Sequence, residues 1–167
     1  MNTRRQLSLY VPHTAGAGLE AVRQVLDPVQ AGLIPAHVTL CRQDEIGQMS
    51  ATELEFRIRR SAAQPVMLGF GSPVNFDGHG ILLPCVAGEQ AFHQLRREVL
   101  GATAIRRHAP HITLAHPRNP PRAKGSLIEA MGLPENLSFT FATIVSIEQI
   151  EATLPWRVLR EFTLTWR

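Results

Sequence analysis

Apolar positions along this chain recur with two periods, and together they predict an alternation of strands and helices. QLSLYV (6–11) alternates, which sets Leu7 and Leu9 on one face of a strand and Ser8 and Tyr10 on the other. Over residues 17–30 the spacing turns helical, with Leu19, Val22, Leu26 and Val29 aligned, Thr14 available as a cap and Pro28 awkward inside. A strand follows at 35–42. SATE (50–53) has capping-box spacing and opens a helix to Arg60, before an apolar strand at 65–71 and an Asp77-Gly78 turn. The pattern then restarts. GILLPCVA (80–87) reads as a strand, and 89–100 as a helix aligning Phe92, Leu95 and Val99 and stopped by Gly101. A strand at 109–115, a Pro-rich loop, a short helix at 122–131 and three strands at 137–142, 144–151 and 156–166 complete the chain.

The halves therefore repeat, about 6–71 and 80–151. Each runs strand, helix, strand, helix, strand, with Phe70 and Phe141 marking the last strand of each. No low-complexity linker separates them, so residues 1–167 are expected to form one domain of two intimately packed lobes. At the same place in each half stands the same short motif, AHVTL (36–40) and PHITL (110–114). Strand alternation puts His37 with Thr39, and His111 with Thr113, on the face away from Val38, Leu40, Ile112 and Leu114. One His-x-Thr in a strand is usually a polar face and nothing more. A pair of them in a repeated unit predicts two halves of one site.

Composition changes this picture little. Hydrophobic residues make up 44% and charged residues 19%, ordinary values for a globular chain. No apolar run reaches the roughly 20 residues of a membrane span, and MNTRRQLSLYVP does not read as a signal peptide, so a cytoplasmic location is expected. Cys41 and Cys85 fit neither a metal-ligand spacing nor a disulfide framework and read as small core residues. Of the 17 Lys and Arg residues only Lys124 is lysine. The clusters Arg57/Arg59/Arg60, Arg96/Arg97, Arg106/Arg107 and Arg118/Arg122 permit a phosphate-bearing partner, although most read simply as solvated faces.

Two histidines across a cleft suit phosphoryl transfer near neutral pH. One neutral imidazole takes a proton from the attacking oxygen, and one protonated imidazole delivers a proton to the leaving oxygen. Each threonine is placed to donate to a non-bridging phosphate oxygen, where charge develops. This scheme calls for no metal and no cofactor.

The duplicated motif resembles the signature of the two-histidine phosphoesterase superfamily, in particular the bacterial 2′-5′ RNA ligase / RNA 2′,3′-cyclic phosphodiesterase group. The likeness extends to the opening LYVP strand, the GF-x5-F-x4-ILLP crossing and the WRVLREFTL ending. It implies an α+β fold, bilobal, with an antiparallel sheet and flanking helices in each pseudo-symmetric lobe around a central cleft. It also implies hydrolysis of 2′,3′-cyclic phosphate ends of RNA or oligonucleotides to 2′-phosphates, and in some members 2′-5′ ligation. Carried over, His37 and His111 become the acid–base pair, and Thr39 and Thr113 the phosphate clamps. Relatives often carry a basic residue shortly after the second motif. Here His116 holds that place and Arg118 follows.

Further candidates are Tyr10 and Phe76, either of which could stack a base, with Tyr10 favoured by strand alternation. Arg42 and His116 follow the two motifs unsymmetrically and are where substrate choice is expected to arise. His108, His111 and His116 make only a weak metal pattern; His79 reads as a turn histidine, and Trp156 and Trp166 as core or lobe-closing aromatics. The alternatives are a non-catalytic nucleotide- or RNA-binding module, or a phosphodiesterase of small cyclic nucleotides or 2′-5′ oligoadenylates. No obligate protein partner and no membrane partner is expected.

Overall fold

The structure, a computed structural model, describes residues 3–61, 63–78, 80–102, 105–119 and 132–166. The helix expected over 122–131 and the turn histidine His79 lie outside them. The first half supplies β1 (Arg4–Tyr10), α1 (Ala17–Leu26), α2 (Pro28–Leu33), β2 (His37–Cys41), α3 (Gln43–Ile46), α4 (Ala51–Arg60) and β3 (Val66–Phe70). After β4 (Val74–Phe76), the second supplies β5 (Gly80–Ala87), α5 (Glu89–Leu100), β6 (His111–Ala115), β7 (Leu137–Phe141), β8 (Thr143–Gln149) and β9 (Arg157–Thr163).

The mixed helix and antiparallel-sheet architecture is as expected, and its topology adds something the repeat alone does not contain. The strands run β7-β3-β5-β6-β2-β1-β8-β9, with β4 also on β5. The two His-x-Thr strands, β2 and β6, are therefore central neighbours. On either side the order mirrors itself: β1 answers β5, β8 answers β3, and β9 answers β7. Each arm borrows a strand, since β3 of the first half pairs with β5 and β8 of the second pairs with β1. The strand that matches β3 is thus β8, not the Phe141 segment, which is an outer strand added to β3.

One face of the sheet is dry. Leu7, Leu9, Val38, Leu40, Ile112 and Leu114 are fully buried in one core with Leu19, Leu26, Phe92, Leu95 and Val99 from α1 and α5. Each such side chain contributes about 1.5–3 kcal/mol on burial. The opposite face carries the polar side chains and a small apolar cluster of Ile34, Val145 and Ile147, with Tyr10 and Trp156 against it.

Local expectations were modified where a backbone donor or a partner decided the matter. Pro28 ends the first helix at Leu26 and starts a second, with Asp27 as its cap accepting from the Gln30 N–H at 2.9 Å. Gly16, not Thr14, caps α1. Ser50 accepts from the Glu53 N–H at 3.1 Å as a cap should, but the Glu53 carboxylate is taken by Arg57 at 2.7 Å. Cys41 is buried as expected, whereas Cys85 is only half-buried. Trp166 is exposed rather than lobe-closing. Arg96, grouped above with surface cations, is 0% exposed, and Arg23 1%. No helix among the described residues is long and apolar enough to cross a membrane.

Candidate active site

The residue pair that joins the two arms is Val38↔Ile112. Running this antiparallel register one step in each direction sets His37 opposite Thr113 and Thr39 opposite His111. Both strands show the same sequence of exposure, with histidine and threonine half-buried and the intervening residues buried. The four polar side chains thus form a rectangle on one face, with each histidine beside the other motif's threonine. The two histidines sit on its diagonal, a separation of roughly 7–8 Å between backbones in regular sheet.

Each imidazole is oriented by its own backbone. His37 Nδ1 lies 2.8 Å from the Pro35 carbonyl, and His111 Nδ1 lies 3.0 Å from the Ala109 carbonyl. A carbonyl only accepts, so in both rings Nδ1 carries the hydrogen and the neutral form keeps its lone pair on Nε2. Pro35 and Pro110 hold the approach to each strand extended. Burial pushes His37 down to about 4, against the Pro35 carbonyl, and the charges of Arg23 and His111 push the same way as burial. His37 is therefore neutral across the physiological range.

Helices reach across to hold this arrangement. Arg23 of α1 donates from Nε to the Thr113 carbonyl at 3.2 Å, and from its other nitrogens to the Ile34 carbonyl at 2.9 Å and the Glu20 carboxylate at 2.7 Å. Arg96 of α5 donates to the Leu40 carbonyl at 2.8 Å, to the Arg106 carbonyl at 2.7 Å, and to the Glu45 carboxylate. Arg23 and Arg96 match in the repeat at the same offset as Leu19/Phe92, Val22/Leu95 and Leu26/Val99. That shared offset was the signal in the sequence that could have found them.

The cleft, about 170 Å³, is lined by His37, Thr39, Thr113, His116, Arg118 and Arg23, together with Arg4, Gln6, Gln149 and Trp156. The segment after β6 is pinned by Asp27, whose carboxylate accepts from the His116 N–H at 2.8 Å and from Asn119 Nδ2 at 2.8 and 2.9 Å. The Arg118 guanidinium lies along the His116 ring, with nitrogens 3.4 Å from both ring nitrogens. Burial first and Arg118 next lower the His116 pKa.

Tyr10 is partnered with His37 across β1 and β2, its ring edge-on at 6.3 Å. Burial and then Glu161 raise its hydroxyl to about 12. Neither Tyr10 nor His111 is among the residues that line this cleft, and the remaining candidates are not brought into it either. Arg42 is exposed and caps α3, and Phe76 is 55% exposed on β4. His108 faces away, with Nε2 3.2 Å from the Thr39 carbonyl and its ring edge-on to Phe92 at 5.5 Å. No group of three His, Cys, Asp or Glu side chains placed to hold a metal ion occurs among the described residues. Arg4, Gln6, Gln149 and Trp156 were missed as cleft residues by sequence reading. Arg4 and Gln6 share strand parity with Tyr10, so that signal existed. Gln149 arrives through the β1–β8 pairing, and Trp156 through its backbone N–H to the Leu33 carbonyl.

A model of the 2′-5′ RNA ligase superfamily matches residues 11–152, and the chain belongs to that family of two-histidine phosphoesterases. Solved structures share the fold at low identity. LigT of E. coli complexed with phosphate has a TM-score of 0.64 at 17% identity, covering 98% of each chain. LigT complexed with NADP+ has a TM-score of 0.62 at 18% identity, again covering 98% of each. TT0787 of Thermus thermophilus has a TM-score of 0.62 at 17% identity, covering 96% of this chain and 97% of that one. No curated protein matches.

Proposed function

We propose that this phosphoesterase hydrolyses the 2′,3′-cyclic phosphate at the end of an RNA or oligonucleotide, leaving a 2′-phosphate and a free 3′-hydroxyl. The observation that carries the reading is the Val38↔Ile112 pairing, which makes the two His-x-Thr strands neighbours, together with the backbone carbonyl that each histidine's Nδ1 meets, leaving Nε2 for a substrate. His37, held neutral by burial, acts as base. Its Nε2 takes a proton from water as the water oxygen bonds to phosphorus. His111 is the acid and delivers a proton to the 3′-oxygen as the P–O3′ bond breaks. Thr39 and Thr113 donate to the non-bridging oxygens, where charge accumulates. The strained cyclic diester brings its own leaving group, so the two imidazoles suffice. An RNA 5′-hydroxyl in place of water would give a 2′–5′ bond by the same proton transfers.

The test is incubation with adenosine 2′,3′-cyclic phosphate and with a cyclic-ended oligonucleotide in EDTA, scoring the 2′-phosphate product. His37→Ala and His111→Ala are each expected to lose turnover by about 100-fold or more while remaining folded. Full activity in either variant would exclude this chemistry. Tight binding without product would favour a nucleotide-binding module.

A further inference from the structure

Beyond His37, Thr39 and Thr113, the cleft continues into a basic end that the proton transfers do not use. Arg4 and Arg118 both line it. Their like charges oppose one another, and burial together with Arg118 lowers the Arg4 pKa. Most arginines of this chain lie against a carboxylate, as Arg5 does with Glu148 and Arg106 with Asp44. Among the described residues neither Arg4 nor Arg118 has one within 4.0 Å.

Arg4 is nevertheless held in place. Its guanidinium donates to Gln149 Oε1 and lies 5.4 Å from the centre of the Trp156 ring. Gln149 is 1% exposed and donates in turn to the Leu154 carbonyl at 2.7 Å and the Ala152 carbonyl at 3.2 Å. The Trp156 backbone N–H donates to the Leu33 carbonyl at 2.8 Å. A neutral amide and an aromatic face orient the cation without neutralising it. Arg118 is set against the His116 ring on a segment anchored by Asp27. Arg4 is half-buried and Arg118 exposed; an anion held between the two guanidinium groups would offset their repulsion, and guanidinium geometry suits phosphate oxygens.

We propose that Arg4 and Arg118 form a second phosphate subsite, which selects substrates carrying a phosphate in addition to the cyclic one. This rests on the phosphodiesterase reading above and narrows it. In a nucleoside whose 2′ and 3′ oxygens are both in the ring, the remaining attachment point is O5′. The subsite therefore takes the 5′-phosphate of the terminal nucleotide, which in RNA is the internucleotide diester.

The measurement is kcat/KM for adenosine 2′,3′-cyclic phosphate with and without a 5′-phosphate. The wild type is expected to prefer the 5′-phosphorylated form by about tenfold or more at low ionic strength, falling with salt. In Arg4→Gln the ratio should collapse toward one. In Arg5→Gln, the adjacent arginine already paired with Glu148, it should persist. A wild-type ratio near one, or a ratio unchanged in Arg4→Gln, overturns the subsite. Calorimetric binding of 2′-AMP against adenosine 2′,5′-bisphosphate separates the two readings, since it needs no turnover. If the bisphosphate binds more tightly in the wild type but not in Arg4→Gln while no cyclic substrate is hydrolysed, the subsite stands and the activity falls.

Discussion

Arg23 Nε donates to the carbonyl of Thr113, so a helix of the first half holds the His-x-Thr strand of the second. Arg96 returns the relationship through the Leu40 carbonyl. These contacts matter because β2 and β6 share the one residue pair Val38↔Ile112 where the arms meet. The backbone ladder there is short, and the buried guanidinium groups do the remaining fastening.

Removing that fastening has a large expected effect. Arg23→Leu removes the buried donor to the Thr113 and Ile34 carbonyls and to one oxygen of the Glu20 carboxylate, whose other oxygen keeps the Ala36 N–H; losing bonds made by a charged donor is expected to cost about 1.5–3 kcal/mol. Arg23→Lys cannot span the three acceptors with one ammonium and should recover only part of the loss. Urea unfolding measures both. A Leu variant within about 0.5 kcal/mol of wild type, the size of an ordinary surface substitution, would contradict this fastening role.

Asp27 is the second fixture. Asp27→Ala removes a helix cap, worth about 1 kcal/mol, and charge-assisted bonds to His116 and Asn119 worth about 1.5–3 kcal/mol each before relaxation. The expected result is a lower unfolding midpoint together with a raised KM, because the segment bearing His116 and Arg118 loosens. Steady-state kinetics beside thermal melts check both; a lower midpoint with an unchanged KM would detach Asp27 from the cleft.

Acid should weaken the fold through two histidines. Burial lowers both His37 and His108 to about 4 from an ordinary value near 6.5. Between those values the unfolded chain binds protons that the native state refuses. Their contribution is therefore fully present above about pH 6.5 and is lost as pH falls toward 4. Denaturant midpoints across that window should decline, and less steeply in His37→Gln. By the same shift, the acid limb of the kcat/KM profile should fall nearer pH 4 than 6.5.

Gly80 supports the site sterically. Its φ is +76°, and a Cβ there would stand 2.1 Å from the Ala115 carbonyl and 3.0 Å from the Pro117 nitrogen. Gly80→Ala must displace the end of β6, with an expected loss above about 2 kcal/mol, on the order of strain plus overpacking. Gly78→Ala, at φ +73° with nothing within 4 Å, should cost only about 1 kcal/mol. Equal melting temperatures for the two variants would remove the steric argument.

Alternation within β1, β2 and β6 was legible residue by residue, because a strand's period assigns faces without reference to anything distant. It placed Tyr10, His37, Thr39, His111 and Thr113 on one surface and their apolar neighbours on the other. The repeated motif also marked β2 and β6 as equivalent. Elements set by a nearby backbone, such as the Gly101 stop of α5, were legible for the same reason.

Which side chains share a face, and which segments are duplicates, thus followed from local periodicity in the chain. Tertiary structure alone decided that the duplicates lie edge to edge with each histidine beside the other's threonine, because register across strands depends on pairings between residues far apart in the chain. It also exchanged β3 and β8 between the arms, drew Arg96 out of what read as a solvated cluster, and brought Arg4 to the cleft by pairing β1 with β8. A buried cation and an exposed one are the same letter in a sequence; only the carbonyls and carboxylates that surround it make the difference.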